Sequence, residues 1–324
     1  MTACQTNDAP SKKPNILVIV SDDQGYSDTG FQGKKLVPTP YLDKLAESGV
    51  ICTNAYVSCP FCSPSRTGLL TGRVQQRFGH EFNPVYDPLD VSEGLPLSER
   101  LLPEFLKDAG YKTGWIGKWH LGSSPQHSPQ KRGFDYSFGF IGGGHNYQNW
   151  KPGNRQYNLP IKRNSVPVEV SGHLTTIFGN EASNFIHRNN GNPWFLYLAF
   201  NAPHMPHQPA KEYEEKFNHI NNDRRRKYCA QISILDDAIG MVLNALKENH
   251  QTGETLVFFF TDNGGSLLHG ANNWPLRGGK SELYEGGIRV PFVVSWPGKL
   301  PEDSTFDLPV TTLDIFASAI TQAG

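Results

Sequence analysis

Short runs dominated by apolar residues recur along the chain and alternate with longer stretches in which apolar and polar residues are mixed. The runs are rich in Val, Ile, Leu and aromatic residues, a pattern typical of strands that are buried on both faces of a sheet. Strands are predicted at residues 14–20, 50–57, 111–117, 194–201, 254–260 and 291–296.

Helix signals lie between these runs. Residues 39–48 have Thr39 as a cap and Pro40 at the first helical position, and Gly49 follows as a terminator. Further helices are predicted at residues 98–109, 174–189, 223–250 and 313–323. This alternation favours an α/β fold in which a large mixed, mostly parallel sheet is sandwiched by helices.

Two stretches are expected to lie outside this framework. Residues 131–170 are rich in Gly, Asn, Pro and aromatic residues, so they are predicted to form long loops and short hairpins rather than core. The basic residues 224–227 at the start of a predicted helix are interpreted as a solvated face without a function.

Oxygen-bearing side chains follow two of the predicted strands. Asp22 and Asp23 come directly after residues 14–20, and Asp262 and Asn263 come after residues 254–260. Ligands in such folds gather beyond the carboxyl ends of the strands. Buried carboxylates are costly unless a cation pairs with them, and a hard divalent ion held by oxygen ligands would resolve that cost. For the Asp-Asp pair alone, a solvated turn is the simpler alternative.

Basic side chains follow two other strands. Lys118 and His120 follow residues 111–117, and the two-residue period of a strand would point both side chains the same way. His204 follows residues 194–201 in a loop between prolines. All three are expected at the same edge of the sheet as the acidic residues. Taken singly, each is more simply a surface or capping group.

Cys62 lies in Cys62-Ser63-Pro64-Ser65-Arg66, between a predicted strand and a predicted helix. Pro64 suits the first helical turn, so the helix is predicted to begin there with its free N–H groups directed toward Cys62. Arg66 then lies within one turn of Cys62, where its planar fork could hold an oxyanion. The alternative is a buried cysteine that serves only for packing.

Composition argues against nucleic acid or a membrane as the main partner and against a disulfide framework. The 324 residues contain 30 Lys and Arg against 31 Asp and Glu, a balance that favours neither nucleic acid nor an anionic membrane as the main partner. No apolar run long enough to cross a bilayer is expected. Five cysteines are too few for a disulfide-framed protein, although Cys52 could pair with Cys59.

The motif around Cys62 resembles the signature of the type I sulfatases. The resemblance rests on Cys62-Ser63-Pro64-Ser65-Arg66 followed by Leu70-Thr71-Gly72-Arg73, and it extends from about Pro14 to near the C-terminus. It implies an alkaline phosphatase-like fold and conversion of the cysteine by a formylglycine-generating maturation enzyme. It further implies one bound Ca²⁺ ion, held by Asp22, Asp23, Asp262, Asn263 and the formylglycine made from Cys62.

The same resemblance implies catalytic roles. Arg66 and Lys118 would stabilise the hydrated formylglycine, which is the nucleophile toward sulfur in this family. His120 would accept a proton from its second hydroxyl as sulfate is expelled. His204 and Lys280 would contact the sulfate ester, and one of them would protonate the leaving alcohol.

Domain boundaries follow from the same comparison. Residues 1–13 are interpreted as a flexible tether and residues 14–324 as the catalytic domain. Cys4 follows a small residue, as in bacterial lipoproteins, so it is a candidate lipid anchor in a periplasmic or cell-surface protein. The C-terminal subdomain usual in these enzymes is expected to be largely absent, which predicts an exposed apolar face near the C-terminal third of the chain.

The expected function is hydrolysis of a sulfate ester, on a sulfated carbohydrate or an aryl sulfate. Aromatic residues near Trp150 would suit binding of a sugar, although a solvent-facing loop is an equal alternative. A formylglycine-dependent phosphate or phosphonate monoesterase is the first alternative. An inactive protein that binds sulfated glycans is the second.

Overall fold

The computed structural model describes residues 12–33 and 36–324. These residues form twelve strands: β1 Asn15–Asp22, β2 Gly49–Cys52, β3 Ala55–Tyr56, β4 Lys112–Lys118, β5 Tyr136–Phe140, β6 Lys162–Arg163, β7 Val166–Pro167, β8 Trp194–Pro203, β9 Thr255–Thr261, β10 Phe292–Ser295, β11 Ser304–Phe306 and β12 Val310–Thr311. They also form eight α-helices: α1 Pro40–Glu47, α2 Cys62–Thr71, α3 Leu102–Asp108, α4 Leu174–Arg188, α5 Lys211–Glu214, α6 Asp223–Glu248, α7 Glu285–Ile288 and α8 Asp314–Ala323.

Ten of the described strands form one mixed sheet in the order β11-β2-β10-β9-β1-β8-β4-β5-β6-β7. Its centre is parallel, because β9, β1, β8, β4 and β5 all run in the same direction. Strand β10 is antiparallel to both β9 and β2, and β6 and β7 are antiparallel additions at the other edge. The predicted mixed, mostly parallel sheet is therefore confirmed.

Helices cover both faces of the sheet. Side chains of β1 alternate between two hydrophobic cores, with Leu17 and Ile19 in one and Ile16, Val18 and Val20 in the other. The first core is completed by α1, α4 and α6, and the second by α2, α3 and α8. Because both faces of β1 are buried, its sequence is continuously apolar rather than alternating.

Helix α6 is long and apolar enough, by length and composition alone, to cross a membrane, so the expectation that no such run exists was wrong. Its most apolar window is 72% buried inside the protein. In this chain α6 packs against α4 and α1 as a core helix.

Helix α1 is capped differently from the prediction. The Thr39 hydroxyl accepts a hydrogen bond from the Gly30 N–H at 2.7 Å and makes no capping bond to α1. Instead the Asp236 carboxylate, from α6, accepts the N–H groups of Tyr41 at 3.1 Å and Leu42 at 2.9 Å. Burial raises the pKa of Asp236 to about 7.

Four predictions of secondary structure need correction. The predicted strand at residues 50–57 is interrupted, because β2 ends at Cys52 and β3 pairs with β12 in a separate two-stranded sheet. Residues 131–170 are not only loops, since β5 pairs with β4 inside the main sheet and buries Phe138 and Phe140 in the core. Helix α3 begins at Leu102 rather than at residue 98. Helix α2 begins at Cys62 rather than at Pro64, because the Ser65 N–H already bonds to the Phe61 carbonyl at 3.2 Å.

An apolar groove of about 250 Å³ lies beside α8, in the C-terminal third of the chain. Its lining includes Phe258, Phe292, Trp296 and Ile315. The exposed apolar face predicted for that region stays a prediction, because Phe258, Phe292 and Ile315 are themselves buried.

The described cysteines, Cys52, Cys59, Cys62 and Cys229, are all free, so Cys52 and Cys59 do not pair. Cys4, the candidate lipid anchor, lies outside the described residues, as does nearly all of the predicted tether 1–13. Its last two residues are described. Lys12 contacts Glu254 at 2.6 Å, and Lys13 donates to the Ala109 carbonyl at 3.0 Å.

Candidate active site

The acidic residues predicted at two strand ends meet at the centre of the sheet edge. Asp22 is the last residue of β1, and Asp262 and Asn263 follow the adjacent strand β9. Asp22, Asp262 and Asn263 have no exposed surface, and Asp23 is 3% exposed. Asn263 donates from Nδ2 to Asp23 Oδ1 at 2.7 Å. The parallel pairing of β1 with β9 is what brings the two loops together.

Cys62 is the first residue of α2 and is 1% exposed. Its Sγ donates to Asp22 Oδ1 at 3.4 Å and accepts from Lys280 Nζ at 3.3 Å. Burial, together with the Asp22 carboxylate, raises the pKa of the Cys62 thiol to about 12, although Lys118 and Lys280 oppose the shift. At neutral pH the side chain is therefore a thiol and a weak nucleophile.

Arg66 lies one helical turn beyond Cys62 and is 1% exposed. Its Nε donates to Asp262 Oδ2 at 2.9 Å, its Nη2 is 2.8 Å from the same oxygen as an ion pair, and Nη1 donates to the Lys118 carbonyl at 3.2 Å. The Nη2 atom is also 3.7 Å from Asp22 Oδ2. Arg66 thus ties α2 to the ends of three strands.

Two lysines complete the buried charges. Lys118 Nζ donates to Asp22 Oδ2 at 2.6 Å, and Lys280 Nζ donates to both Asp23 oxygens at 2.7 Å and 2.8 Å. Burial alone would raise the pKa of Asp23, but Lys280 and then His204 outweigh it and hold that pKa well below its usual range. With Arg66, three cations face the three carboxylates, so the cluster is close to neutral.

The two predicted histidines are both at this centre. His120 is 6% exposed, and its Nδ1 is buried without a hydrogen-bond partner among the described residues. A Cβ on Gly143 would lie 2.5 Å from His120 Nε2, so this close approach requires glycine in the loop after β5. Burial, then the charge of Lys118, lowers the pKa of His120 well below its ordinary value. His120 is therefore neutral.

His204 has its tautomer fixed by the backbone. Its Nδ1 is 2.6 Å from the Met205 carbonyl and donates to it, which leaves Nε2 as the acceptor, 3.7 Å from Asp23 Oδ2. Burial, then the charge of Lys280, lowers the pKa of His204 to about 3, although Asp23 opposes the shift. His204 is also neutral at physiological pH.

The donor set fits a hard divalent cation. The Asn263 Oδ1 atom is buried and accepts no hydrogen bond from any described residue, as expected of an oxygen that is positioned for a cation. Ligand atoms of Asp22, Asp23, Cys62 and His204 lie within 4.8 Å of one another. Asp22, Asp23 and Cys62 of the predicted ligands are thus near each other, and His204 joins a set in which the sequence had not placed it.

Every predicted catalytic or metal-ligating residue lies at this centre, whereas Trp150 lines a separate cleft of about 410 Å³ with Gln148 and Val170. Sequence reasoning missed His80, which contacts Ser63 Oγ at 2.7 Å. It also missed Tyr147, a buried tyrosine whose hydroxyl donates to the carbonyls of Asn201 and His204 at 2.6 Å and 2.8 Å. No motif marks these residues, because each acts through a contact that only the fold creates.

The sequence and the fold of this chain match known proteins over nearly the whole chain. The family model described as Sulfatase matches residues 14–324. Human N-acetylgalactosamine-6-sulfatase is 36% identical over 335 residues, a match that covers 96% of this chain and 62% of that protein. The chain thus spans less than two thirds of the length of this curated relative.

Solved structures give the same result. The crystal structure of Ps i-CgsB in complex with k-i-k-neocarrahexaose is 40% identical with a TM-score of 0.93, covering 97% of this chain and 72% of that one. The PsFucS1 sulfatase from Pseudoalteromonas sp. is 28% identical with a TM-score of 0.82, covering 97% and 68%. The protein therefore belongs to the sulfatase family and has its alkaline phosphatase-like fold.

Proposed function

We propose that the protein is a sulfuric ester hydrolase that acts on a sulfated carbohydrate through a formylglycine made from Cys62. The observation that carries the proposal is the setting of Cys62, which lies buried at the amino end of α2 between Asp22 and Lys280. A thiol whose pKa is raised to about 12 is a poor nucleophile at neutral pH. Replacing sulfur by the hydroxyls of a hydrated aldehyde would give the site an oxygen nucleophile and a second hydroxyl for product release.

We assign one Ca²⁺ ion to Asp22, Asp23, Asp262, Asn263 and the modified residue 62. Bound there, the ion would supply Lewis-acid polarisation of the nucleophile and of the sulfuryl oxygens. The buried and unpartnered Asn263 Oδ1 supports this assignment, as does the oxygen-rich donor set. Lys280 Nζ donates hydrogen bonds of 2.7 Å and 2.8 Å to the two Asp23 oxygens, so its positive charge lies beside the assigned ion site.

Some of the remaining side chains would stabilise charge, and the others would transfer protons. Arg66 and Lys118 are fixed cations that would hold the hydrated side chain of residue 62 in place. His120 is neutral and buried, with a lowered pKa, so it is suited to accept a proton from that side chain. His204 and Lys280 face the side from which the ester would enter, and one of them would protonate the departing alcohol.

Of these two, Lys280 carries the proton at neutral pH. Burial alone would lower the pKa of Lys280, but Asp23 and Cys62 hold it well above its ordinary value. His204, with a pKa of about 3, is unprotonated in the same structure. The charges therefore favour Lys280 as the proton donor to the leaving alcohol, because the unprotonated Nε2 of His204 can only accept a hydrogen bond.

A sulfated carbohydrate is the proposed substrate class because of the relatives. A 36% identical relative is named N-acetylgalactosamine-6-sulfatase, and a 40% identical solved structure is in complex with k-i-k-neocarrahexaose. An aryl sulfate would serve as a simple substitute in an assay. We further propose that a formylglycine-generating enzyme matures Cys62, and that the protein works in the periplasm or at the cell surface, where sulfated polysaccharides are encountered.

The test compares ester types on one protein preparation. The 324-residue chain is co-produced with a formylglycine-generating enzyme, and release of the alcohol is measured from matched aryl sulfate and aryl phosphate, with sulfated glycans alongside. We expect sulfate esters to be cleaved at least tenfold faster, and Cys62→Ala to be inactive. Faster cleavage of the phosphate would instead favour a phosphate or phosphonate monoesterase.

The third possibility gives a different result. Binding of sulfated glycan that survives Cys62→Ala, with no sulfate released by either protein, would favour an inactive glycan-binding protein. The two readouts together therefore separate all three functions.

A further inference from the structure

Side chains of helix α6 form hydrogen bonds with the loop that carries Asp23. Asp23 has a φ of 63°, a left-handed conformation that is unfavourable for a residue with a side chain. The residues after it, up to Asp28, belong to neither a strand nor an α-helix. Such a conformation persists only when surrounding contacts fix it, so the contacts to this loop decide where the Asp23 carboxylate lies.

Tyr228, on α6, supplies two of those contacts. Its hydroxyl donates to the Asp23 carbonyl at 3.0 Å and accepts from the Gly25 N–H at 3.0 Å. Tyr228 is 1% exposed, so neither bond competes with solvent. One hydroxyl thus bridges the peptide groups on both sides of residue 24.

Arg225, one turn earlier on α6, holds the far end of the loop. Its Nη2 pairs with Asp28 Oδ1 at 2.6 Å, and its Nη1 donates to the Gly270 carbonyl at 2.8 Å. The other Asp28 oxygen accepts from the Asn272 N–H at 2.8 Å. Arg225 therefore joins the loop after β1 to the segment after β9, the two segments that carry the predicted cation ligands.

We propose that Tyr228 and Arg225 are positioning residues for Asp23, and that this part of α6 sets the affinity of the cation site. The inference rests on the proposed function, because it takes the Ca²⁺ ion assigned there as its ligand. It also replaces the interpretation of residues 224–227 as a face without a function. Neither side chain touches the ion; each acts by fixing the backbone from which Asp23 extends.

The effect should appear in binding rather than in folding. Without the Tyr228 hydroxyl, the Asp23 peptide loses its anchor and the loop must be ordered when the ion binds. We expect Tyr228→Phe to weaken Ca²⁺ binding about tenfold, an effect within the range expected when these two hydrogen bonds are lost. Arg225→Lys keeps the charge but loses the two-pronged contact, and we expect a loss of similar size.

Tyr111 provides a matched control. It is also a buried tyrosine, 2% exposed, but its hydroxyl has no hydrogen-bond partner among the described residues. Tyr111→Phe removes the same atom from a buried position away from the cation ligands. It should leave Ca²⁺ affinity unchanged.

The experiment is calorimetric titration of Ca²⁺ into the full 324-residue chain, co-produced with a formylglycine-generating enzyme, with thermal unfolding in EGTA as a parallel measure of the apo fold. The expected result is a weakened affinity for Tyr228→Phe and Arg225→Lys, beside wild-type affinity for Tyr111→Phe. The Ca²⁺-induced rise in melting temperature should shrink for the first two variants alone.

Two results would overturn the proposal, and they are distinguishable. Wild-type affinity in both Tyr228→Phe and Arg225→Lys would refute the positioning role while leaving the cation site intact. No Ca²⁺ binding by the wild-type chain would refute the assigned cation site and this inference with it. If Tyr228→Phe fails to fold in EGTA, the affinity of Arg225→Lys decides between these outcomes.

Discussion

Removal of the Arg66 charge tests the electrostatic description of the site. Arg66→Met keeps much of the aliphatic stem but removes the guanidinium, whose Nε donates to Asp262 at 2.9 Å and whose Nη2 is 2.8 Å from the same oxygen. Asp262 has no exposed surface and forms no other ion pair among the described residues. Its carboxylate would remain buried without a countercharge.

Breaking a buried ion pair by removing one partner costs about 3–5 kcal/mol. For a domain of this size that loss corresponds to a fall in melting temperature of about 4–7 °C. Burial already raises the pKa of Asp262 despite the opposing charge of Arg66, and the variant should raise it further. A raised folded pKa favours folding at low pH, so the penalty of Arg66→Met should be smaller at pH 5 than at pH 8.

The assay is calorimetric unfolding in EGTA at both pH values. Arg100→Met is the control, because Arg100 pairs with Asp108 at the surface, where the two side chains are 52% and 72% exposed. That variant should change stability by less than about 1 kcal/mol at either pH. If Arg66→Met were as stable as Arg100→Met at pH 8, the described charge balance of the site would be wrong.

Three further predictions concern the fold. Asp236→Asn should reduce the pH dependence of stability. The raised pKa of Asp236, about 7, stabilises the wild-type fold fully below pH 4, and this stabilisation is lost as the pH rises through 7. Equal pH profiles of the two proteins in urea melts would count against this. Gly264→Ala should give a poorly folded protein, because its Cβ would lie 1.8 Å from the Gly286 carbonyl oxygen; a soluble variant with wild-type melting temperature would contradict that distance. The apolar groove beside Phe292 and Trp296 should bind a hydrophobic dye; a monodisperse monomer that unfolds cooperatively and binds no dye would exclude an exposed apolar face.

The parallel strands at the centre of the fold could be predicted because a strand that is buried on both faces has a continuous run of apolar residues. Residues 16–20 of β1 and 256–260 of β9 are all apolar, and polar residues lie at the carboxyl end of each strand. The rule that ligands gather at those ends then brought Asp22 and Asp262 together without knowledge of the strand order. Their adjacency in the sheet follows from long-range pairing, which local patterns do not encode.

Strand β5 escaped prediction because its surroundings determine it. Its sequence, Tyr-Ser-Phe-Gly-Phe, lies in a glycine-rich segment, and glycine weakens the signal of a strand interior. Pairing with β4 in the core overrides that weak propensity. Helix α2 likewise starts earlier than Pro64 indicated, since a proline at the third helical position removes an N–H that no helical carbonyl would have accepted.

The chemistry-bearing residues were predictable, but their supports were not. Cys62 and Arg66 lie in a motif whose spacing places them on one helical turn. Tyr228 lies in a helix whose sequence is typical of the protein core. Nothing in its local sequence distinguishes Tyr228 from an ordinary core tyrosine. A contact between α6 and the loop after β1 becomes visible only when the chain is folded.

The central claim is that a formylglycine at position 62 performs hydrolysis of a sulfate ester. Its most direct test is to prepare the chain with graded conversion of Cys62, measured by peptide mass, and to record inorganic sulfate release from a sulfated glycan for each preparation. The account predicts a rate proportional to the converted fraction, with no release at zero conversion or from Cys62→Ala. Sulfate release by unconverted protein or by Cys62→Ala would contradict it.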